Sequence, residues 1–409
     1  MNLSLPVFYA LLFVIVIWRM PLFGDERLPR IFFIAVFSAK VLLALFYTKI
    51  FSGGDTTTYF DDASVIIYPS LLRTPLKYIY LTLGPNGGAI PEFIRPEVLA
   101  MGYWGDTSDY MVVRFNALLC IFSFGNFYVH GVFMAFLSLI GLMWLYRSCL
   151  KSTGIYSPIV AGALFLIPSV LFWGSGVHKE GMLLFSLGLF FYGGVRLAQK
   201  FTVKNLLIFL AGTTLTYLIR DHVLFILLPG MLAYFITLKN YVRIRFIVPV
   251  IYLAVIAAGI TLPLFGGKNF PEVISEKQKE FKALEAGSTQ IKVKDFKPSF
   301  LCLFTNLPQA LRNTLLGPFF ISPTKTVHYL AIAENVFLVL AVIAFPWITG
   351  RPRLEPFSLM CLLFSVSLLI LIGYIVPNVG AIVRYRSIAL PFLFLFLYSG
   401  RKDFFHIRK

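Results

Sequence analysis

Three carboxylates, Asp55, Asp61 and Asp62, stand with Tyr59 in the stretch SGGDTTTYFDDAS, residues 52–64, directly after the apolar run IFFIAVFSAKVLLALFYTKIF. A carboxylate fixed at the end of a hydrophobic helix can act as a general base, and two together can hold a divalent cation such as Mg or Mn. If 55–64 is helical, Asp55 and Asp62 lie seven apart on one face with Tyr59 between them. The same residues also read as a helix break at Gly53-Gly54 followed by an Asp N-cap, and the two readings are compatible.

A second set of residues lies in PSVLFWGSGVHKEGM, 168–182, where His178, Lys179 and Glu180 follow aromatic and small residues. Arg220 and His222 in LIRDH, and Arg384, Tyr385 and Arg386 in VRYRS, complete it. Arg presents a planar fork to phosphate oxygens and Lys a point charge, so these cations describe a phosphate site. Local pairing is the alternative, Lys179 with Glu180 and Arg220 with Asp221, while the two late arginines suit lipid headgroups. His178 and His222 can shuttle protons, ligate metal or serve as polar turn residues. Tyr59, Trp173 and Tyr385 suit stacking on a sugar or guanidinium, and equally an interfacial belt.

The elements that position these residues are membrane helices. The 409 residues are 58% hydrophobic and 13% charged, with mean hydropathy +0.81, a composition that indicates an all-α polytopic membrane protein. A net charge of +17 comes from short basic clusters between apolar runs and not from one basic face, which argues against nucleic acid as a partner. Cys120, Cys149, Cys302 and Cys361 lack metal or disulfide spacing and read as free thiols. The first apolar stretch, without a basic leader or small-residue cleavage site, reads as an anchor.

A span needs about 20 apolar residues. Eleven windows qualify: 4–20, 31–50, 127–147, 156–173, 181–197, 204–219, 223–238, 246–264, 328–348, 356–376 and 387–400, with 204–238 expected to be a tight helical hairpin. Basic residues mark alternate connections as cytoplasmic: Arg19, Arg27 and Arg30; Arg147 and Lys151; Arg196, Lys200 and Lys204; Lys239, Arg243 and Arg245; Arg351 and Arg353; and the C-terminal Arg401, Lys402, Arg408 and Lys409. The long loops 51–126 and 265–327 then face outward. So do all acidic residues except Asp25, Glu26, Glu355 and Asp403. Within these loops 66–81, 111–125 and 301–320 read as interfacial helices, and 268–297 as a solvated, mobile segment. Lys40, near the middle of the second span, and Glu334 form a possible buried pair. No repeat suggests an inverted-repeat transporter, and neither GxxxxGK[ST] nor GxGxxG occurs.

An early span running into a long outer loop headed by acidic residues, then interfacial helices and a bundle, resembles the GT-C superfamily of polyprenyl-phosphate-sugar glycosyltransferases. The element PSVLFWGSGVHKEGM is also similar to one in bacterial membrane proteins grouped with it. The resemblance covers most of the chain and implies a catalytic Asp in the first outer loop, where Asp55 and the Asp61-Asp62 pair stand. The chain departs from better-known members by an extra N-terminal span, no WWDYG-type segment and no large C-terminal soluble domain, which speaks against an oligosaccharyltransferase.

The resulting expectation is glycosyl transfer from a lipid-linked sugar to a glycan, lipid or protein acceptor at the outer face of a bacterial inner membrane. Asp55, or Asp61 or Asp62, serves as base, and Lys179, Arg220, Arg384 and Arg386 stabilise the departing phosphate. An O-antigen-type polysaccharide polymerase, a lipid-linked glycan flippase and a noncatalytic assembly factor are the competing readings.

Overall fold

The apolar runs of this chain are helical because no other open structure satisfies its own backbone away from water. The computed structural model describes residues 3–24, 28–50, 53–154, 158–238, 244–261, 263, 266–284, 289–349 and 354–400. Eighteen α-helices account for most of them, and no strand occurs among the described residues. In chain order they are α1 (Ser4–Arg19), α2 (Arg30–Ile50), α3 (Asp55–Asp61), α4 (Ser70–Arg73), α5 (Pro75–Leu83), α6 (Arg95–Ala100), α7 (Thr107–Ser123), α8 (Phe127–Thr153) and α9 (Pro158–Phe165). They continue with α10 (Pro168–Trp173), α11 (Lys179–Gln199), α12 (Val203–Thr237), α13 (Ile244–Thr261), α14 (Phe270–Ala283), α15 (Phe300–Leu316), α16 (Thr326–Thr349), α17 (Pro356–Ile375) and α18 (Val379–Leu397).

Seven helices among the described residues are long and apolar enough to cross a membrane: those at Arg30–Tyr47, Phe127–Thr153, Lys179–Gln199, Val203–Thr237, Thr326–Phe345, Pro356–Ile375 and Val379–Leu397. The chain is therefore an all-helical protein of multi-pass membrane character. The windows at 4–20 and 246–264 form shorter apolar helices, Ser4–Arg19 and Phe246–Thr261. The window 156–173 is not one continuous helix, because α9 ends at Phe165 and Pro168 opens α10. A proline has no N–H to continue the ladder and turns the residue before it away from the α region. The windows 204–219 and 223–238 lie in the single run of α12, interrupted by non-helical backbone at Arg220 (φ −156°, ψ 93°). Among the basic clusters, Arg27, Lys239, Arg243, Arg351, Arg353 and the C-terminal group from Arg401 lie outside the described residues, as do Asp25, Glu26 and Asp403.

The chain forms two units. Unit 1 comprises residues 1–148 and 171–222, and unit 2 comprises 149–170 and 223–409.

In unit 1 the segment 111–125, expected at the membrane surface, lies in α7 with one face packed and Leu118, Ile121 and Phe122 exposed on the other. Tyr110, Val113, Asn116, Ala117 and Cys120 of α7 are fully buried. Tyr78 on α5 donates its hydroxyl to the Ala117 carbonyl (3.0 Å), and Tyr110 donates to Leu81 (2.7 Å). These bonds fix α5 beside α7 and leave Leu72, Leu76 and Leu83 of α4 and α5 exposed, the apolar face expected of an interfacial segment. At its far end α7 is tied to α8 through His130. Asn116 donates its amide to the Val112 carbonyl, so its oxygen accepts from His130 Nδ1 (2.6 Å), and Nε2 receives the Ser123 hydroxyl (2.7 Å).

In unit 2 the segment 268–297, expected to be mobile, is folded wherever it is described. Asn269 and Glu272 close a capping box at the start of α14. The buried Gln278 donates to the carbonyls of Lys294 (3.0 Å) and Tyr374 (2.6 Å) and accepts from Phe296 N–H (2.8 Å). A bridge between Gln290 and Asn378 ties the same segment to the start of α18. That helix begins at Val379, well before the expected 387, with Asn378 capping it through Ala381 N–H. Arg384 and Arg386 are consequently helical residues and not part of a turn.

The cysteines are free thiols. Lys40, in unit 1, is fully buried and its Nζ has no hydrogen-bond partner among the described residues, while Glu334 belongs to unit 2.

Candidate functional site

Unit 1 gathers the early carboxylates and two of the expected cations into one polar cluster. Its foundation is α3. Gly54, at φ 74°, caps this helix with no side-chain hydrogen bond, a backbone conformation that glycine adopts without steric cost. Asp55 is thus the first helical residue and not the cap, and its exposed carboxylate accepts the Tyr103 hydroxyl at 2.9 Å.

The helix does not continue regularly. From Asp62 to Ile67 it winds as a π-helix, so the regular α winding that relates Asp55 to Asp62 ends at Asp62. Asp62 is 3% exposed and accepts the N–H groups of Gly102 (3.1 Å) and Tyr103 (3.1 Å). Any larger residue at 102 would place its Cβ 2.7 Å from Thr58 Cγ2 and oblige that side chain to shift. Burial pushes the Asp62 carboxyl above the ordinary aspartate range, the two N–H groups pull it back, and Asp61 adds to the rise. Asp61 itself is exposed. Asp62 therefore anchors a loop, and Asp55 is the carboxylate open to a reactant.

Tyr59 is fully buried, with its ring 4.8 Å from that of Tyr103. Its hydroxyl donates to Asp109 Oδ1. The same oxygen receives Lys179 Nζ at 2.7 Å, and Nζ also donates to Ser108 Oγ at 2.9 Å. Arg220 Nη2 lies 2.7 Å from Glu180 Oε1, a carboxylate with no exposure. The expected neighbour pairs are thus exchanged: Lys179 takes Asp109, Arg220 takes Glu180, and Asp221 contacts the exposed His222 at 3.3 Å. His178 is buried behind the cluster, with Nδ1 3.1 Å from Thr56 Oγ1 and its ring set edgewise on Tyr47 at 4.4 Å.

Thr56 and Tyr47 also line a narrow apolar crevice of only about 10 Å³ between α2 and α8, with Val41, Ala44 and Gly131 on its walls. The Thr56 hydroxyl therefore stands at a crevice with room for about one water molecule. Among the described residues no group of three or more His, Cys, Asp or Glu side chains is placed to hold a metal ion.

The remaining expected residues belong to unit 2. Arg384 lies over the ring of Tyr385, which packs edgewise against Phe281 at 6.2 Å. Arg386 is 1% exposed. Asp109, Ser108 and Tyr103 were not foreseen. The one sequence signal for them is Asp106-Thr107-Ser108-Asp109, a helix-start pattern in which Asp106 accepts Asp109 N–H at 2.8 Å.

Comparison of the chain with models of known protein families, with curated proteins and with solved structures gave no match.

Proposed function

We propose that unit 1 transfers a glycosyl group from a polyprenyl-phosphate-linked sugar to a hydroxyl on a glycan, lipid or protein acceptor. The observation that carries this reading is the exposed Asp55 carboxylate, oriented by Tyr103, on the same aromatic and ionic cluster as Lys179. In the reaction Asp55 removes the acceptor proton as the acceptor oxygen bonds to the anomeric carbon. The bond from that carbon to the phosphate oxygen breaks, and the lipid phosphate departs with the negative charge. Lys179, fixed by Asp109 and Ser108, offers its third hydrogen to that phosphate. In this reading the apolar tail of the donor lies between helices, so no soluble nucleotide fold is needed.

The reading includes a GT-C-like arrangement of about eleven spans in a bacterial inner membrane, with a cytoplasmic C-terminus and the cluster on the outer side, following the placement of basic residues. It assigns Arg384 and Arg386 no part in the transfer. The test is incubation of the purified protein with radiolabelled polyprenyl-phosphate sugars and a panel of acceptors. Turnover abolished by Asp55→Asn supports transfer. Absence of turnover with every donor returns the weight to a flippase or a noncatalytic assembly factor.

A further inference from the structure

In unit 2, α15, α16 and α18 meet around a guanidinium that the surrounding protein satisfies only in part. Arg386 Nη1 donates to the Thr314 carbonyl at 3.1 Å and to Asn335 Oδ1 at 2.7 Å. Its Nε and Nη2, the two nitrogens of the outer fork, are buried without a hydrogen-bond partner. The same holds for the amide nitrogen of Asn335, whose oxygen is turned toward Arg386, and for that of Asn313, one residue before Thr314. None of the three side chains is more than 1% exposed.

Buried N–H groups are almost always paired, because an unpaired one bears its full desolvation cost. A buried charge is costlier still without a counter-charge. The carboxylate whose field reaches Arg386 is Glu334. It stands near Ser169, its Oε1 also lacks a hydrogen-bond partner, and it makes no contact ion pair with Arg386. The cluster therefore offers one guanidinium fork, two amide donors and a carboxylate acceptor set apart from them.

A fork binds two oxygens of an oxyanion side by side. A carboxylate guest has no third oxygen for the asparagine amides, whereas a tetrahedral phosphate has, and its hydroxyl can donate to Glu334. We propose that Arg386, Asn313 and Asn335 form a binding site for a phosphate-class oxyanion within unit 2. The site is argued from unit 2 alone and stands or falls separately from the transfer reaction.

The test uses the full chain purified in detergent and stripped of lipid, with melting temperature measured against inorganic phosphate and, separately, a long-chain prenyl monophosphate. A concentration-dependent rise with inorganic phosphate identifies a free ion, and a rise with the prenyl phosphate alone identifies a lipid headgroup. In either case Asn313→Asp, which keeps side-chain volume but repels an anion, weakens the apparent affinity at least tenfold, and Arg386→Met abolishes it. If Arg386→Met does not fold, Asn313→Asp decides alone. No rise with either probe, or a rise unchanged in Asn313→Asp, overturns the proposal.

Discussion

Lys179 Nζ lies 2.7 Å from Asp109 Oδ1, joining the start of a long apolar helix to a helix that the sequence places on the membrane surface. The two side chains are 13% and 19% exposed, so their attraction is only partly screened by solvent. Asp109→Asn leaves the ammonium without its counter-charge and is expected to destabilise the protein by about 1–3 kcal/mol, between surface and fully buried ion pairs. In a double-mutant cycle with Lys179→Met the losses should be markedly non-additive. Denaturant titration of the detergent-solubilised protein checks this, and strict additivity would show that the contact carries no energy.

Asp55 and Asp61 provide an internal comparison, because both are exposed but only Asp55 is hydrogen-bonded into the cluster through Tyr103. Asp55→Asn should lower turnover roughly 10²- to 10⁴-fold, the contribution usual for a positioned general base. Asp61→Asn should lower it less than about threefold, well below that contribution. Melting temperature should not move in either variant. Equal kinetic losses would place the base elsewhere on the helix.

Asp62 gives stability a pH dependence of definite sign. Burial raises its carboxyl above the ordinary range, so the folded protein keeps this proton to higher pH than the unfolded chain does. Its contribution is therefore greatest below the unfolded-state value and is lost as pH rises through the folded-state value. Asp62→Asn, which retains an oxygen for the Gly102 and Tyr103 N–H groups, should flatten that decline in melts recorded from about pH 4 to pH 8. A slope unchanged from wild type would mean that this carboxyl is not the titrating group.

Lys40 is fully buried with no hydrogen-bond partner for its Nζ, on the face of α2 that also carries Phe33, Phe37 and Ala44. Replacement by an apolar side chain of similar volume removes that desolvation, and Lys40→Met is expected to be neutral or stabilising by up to about 4 kcal/mol. Loss of stability in unfolding titrations would reveal a partner that this geometry does not contain.

Most helices were legible because long apolar runs declare themselves, and the early acidic cluster was legible because it interrupts one. The partners of the charged residues were not. Lys179 and Glu180 are adjacent in sequence, but consecutive residues on a helix point in different directions, so each finds a distant partner and not its neighbour. Asp109 was hidden inside a helix-start pattern that needs no functional explanation. Gln278 looked like one polar residue in a charged stretch, and only folding brings the Lys294, Phe296 and Tyr374 backbone groups around it.

The π-wound turn from Asp62 to Ile67 adds roughly one residue to a single turn of helix. A wide turn of this kind absorbs the extra residue and leaves the helix beyond it in phase, so deleting the exposed Val65 is expected to restore ordinary winding with Tyr68 and α5 still facing the same way. Surveys of natural or random variants should find this hexapeptide tolerant of losing Val65 and intolerant of exchange at the buried Asp62, Ala63 and Ile67.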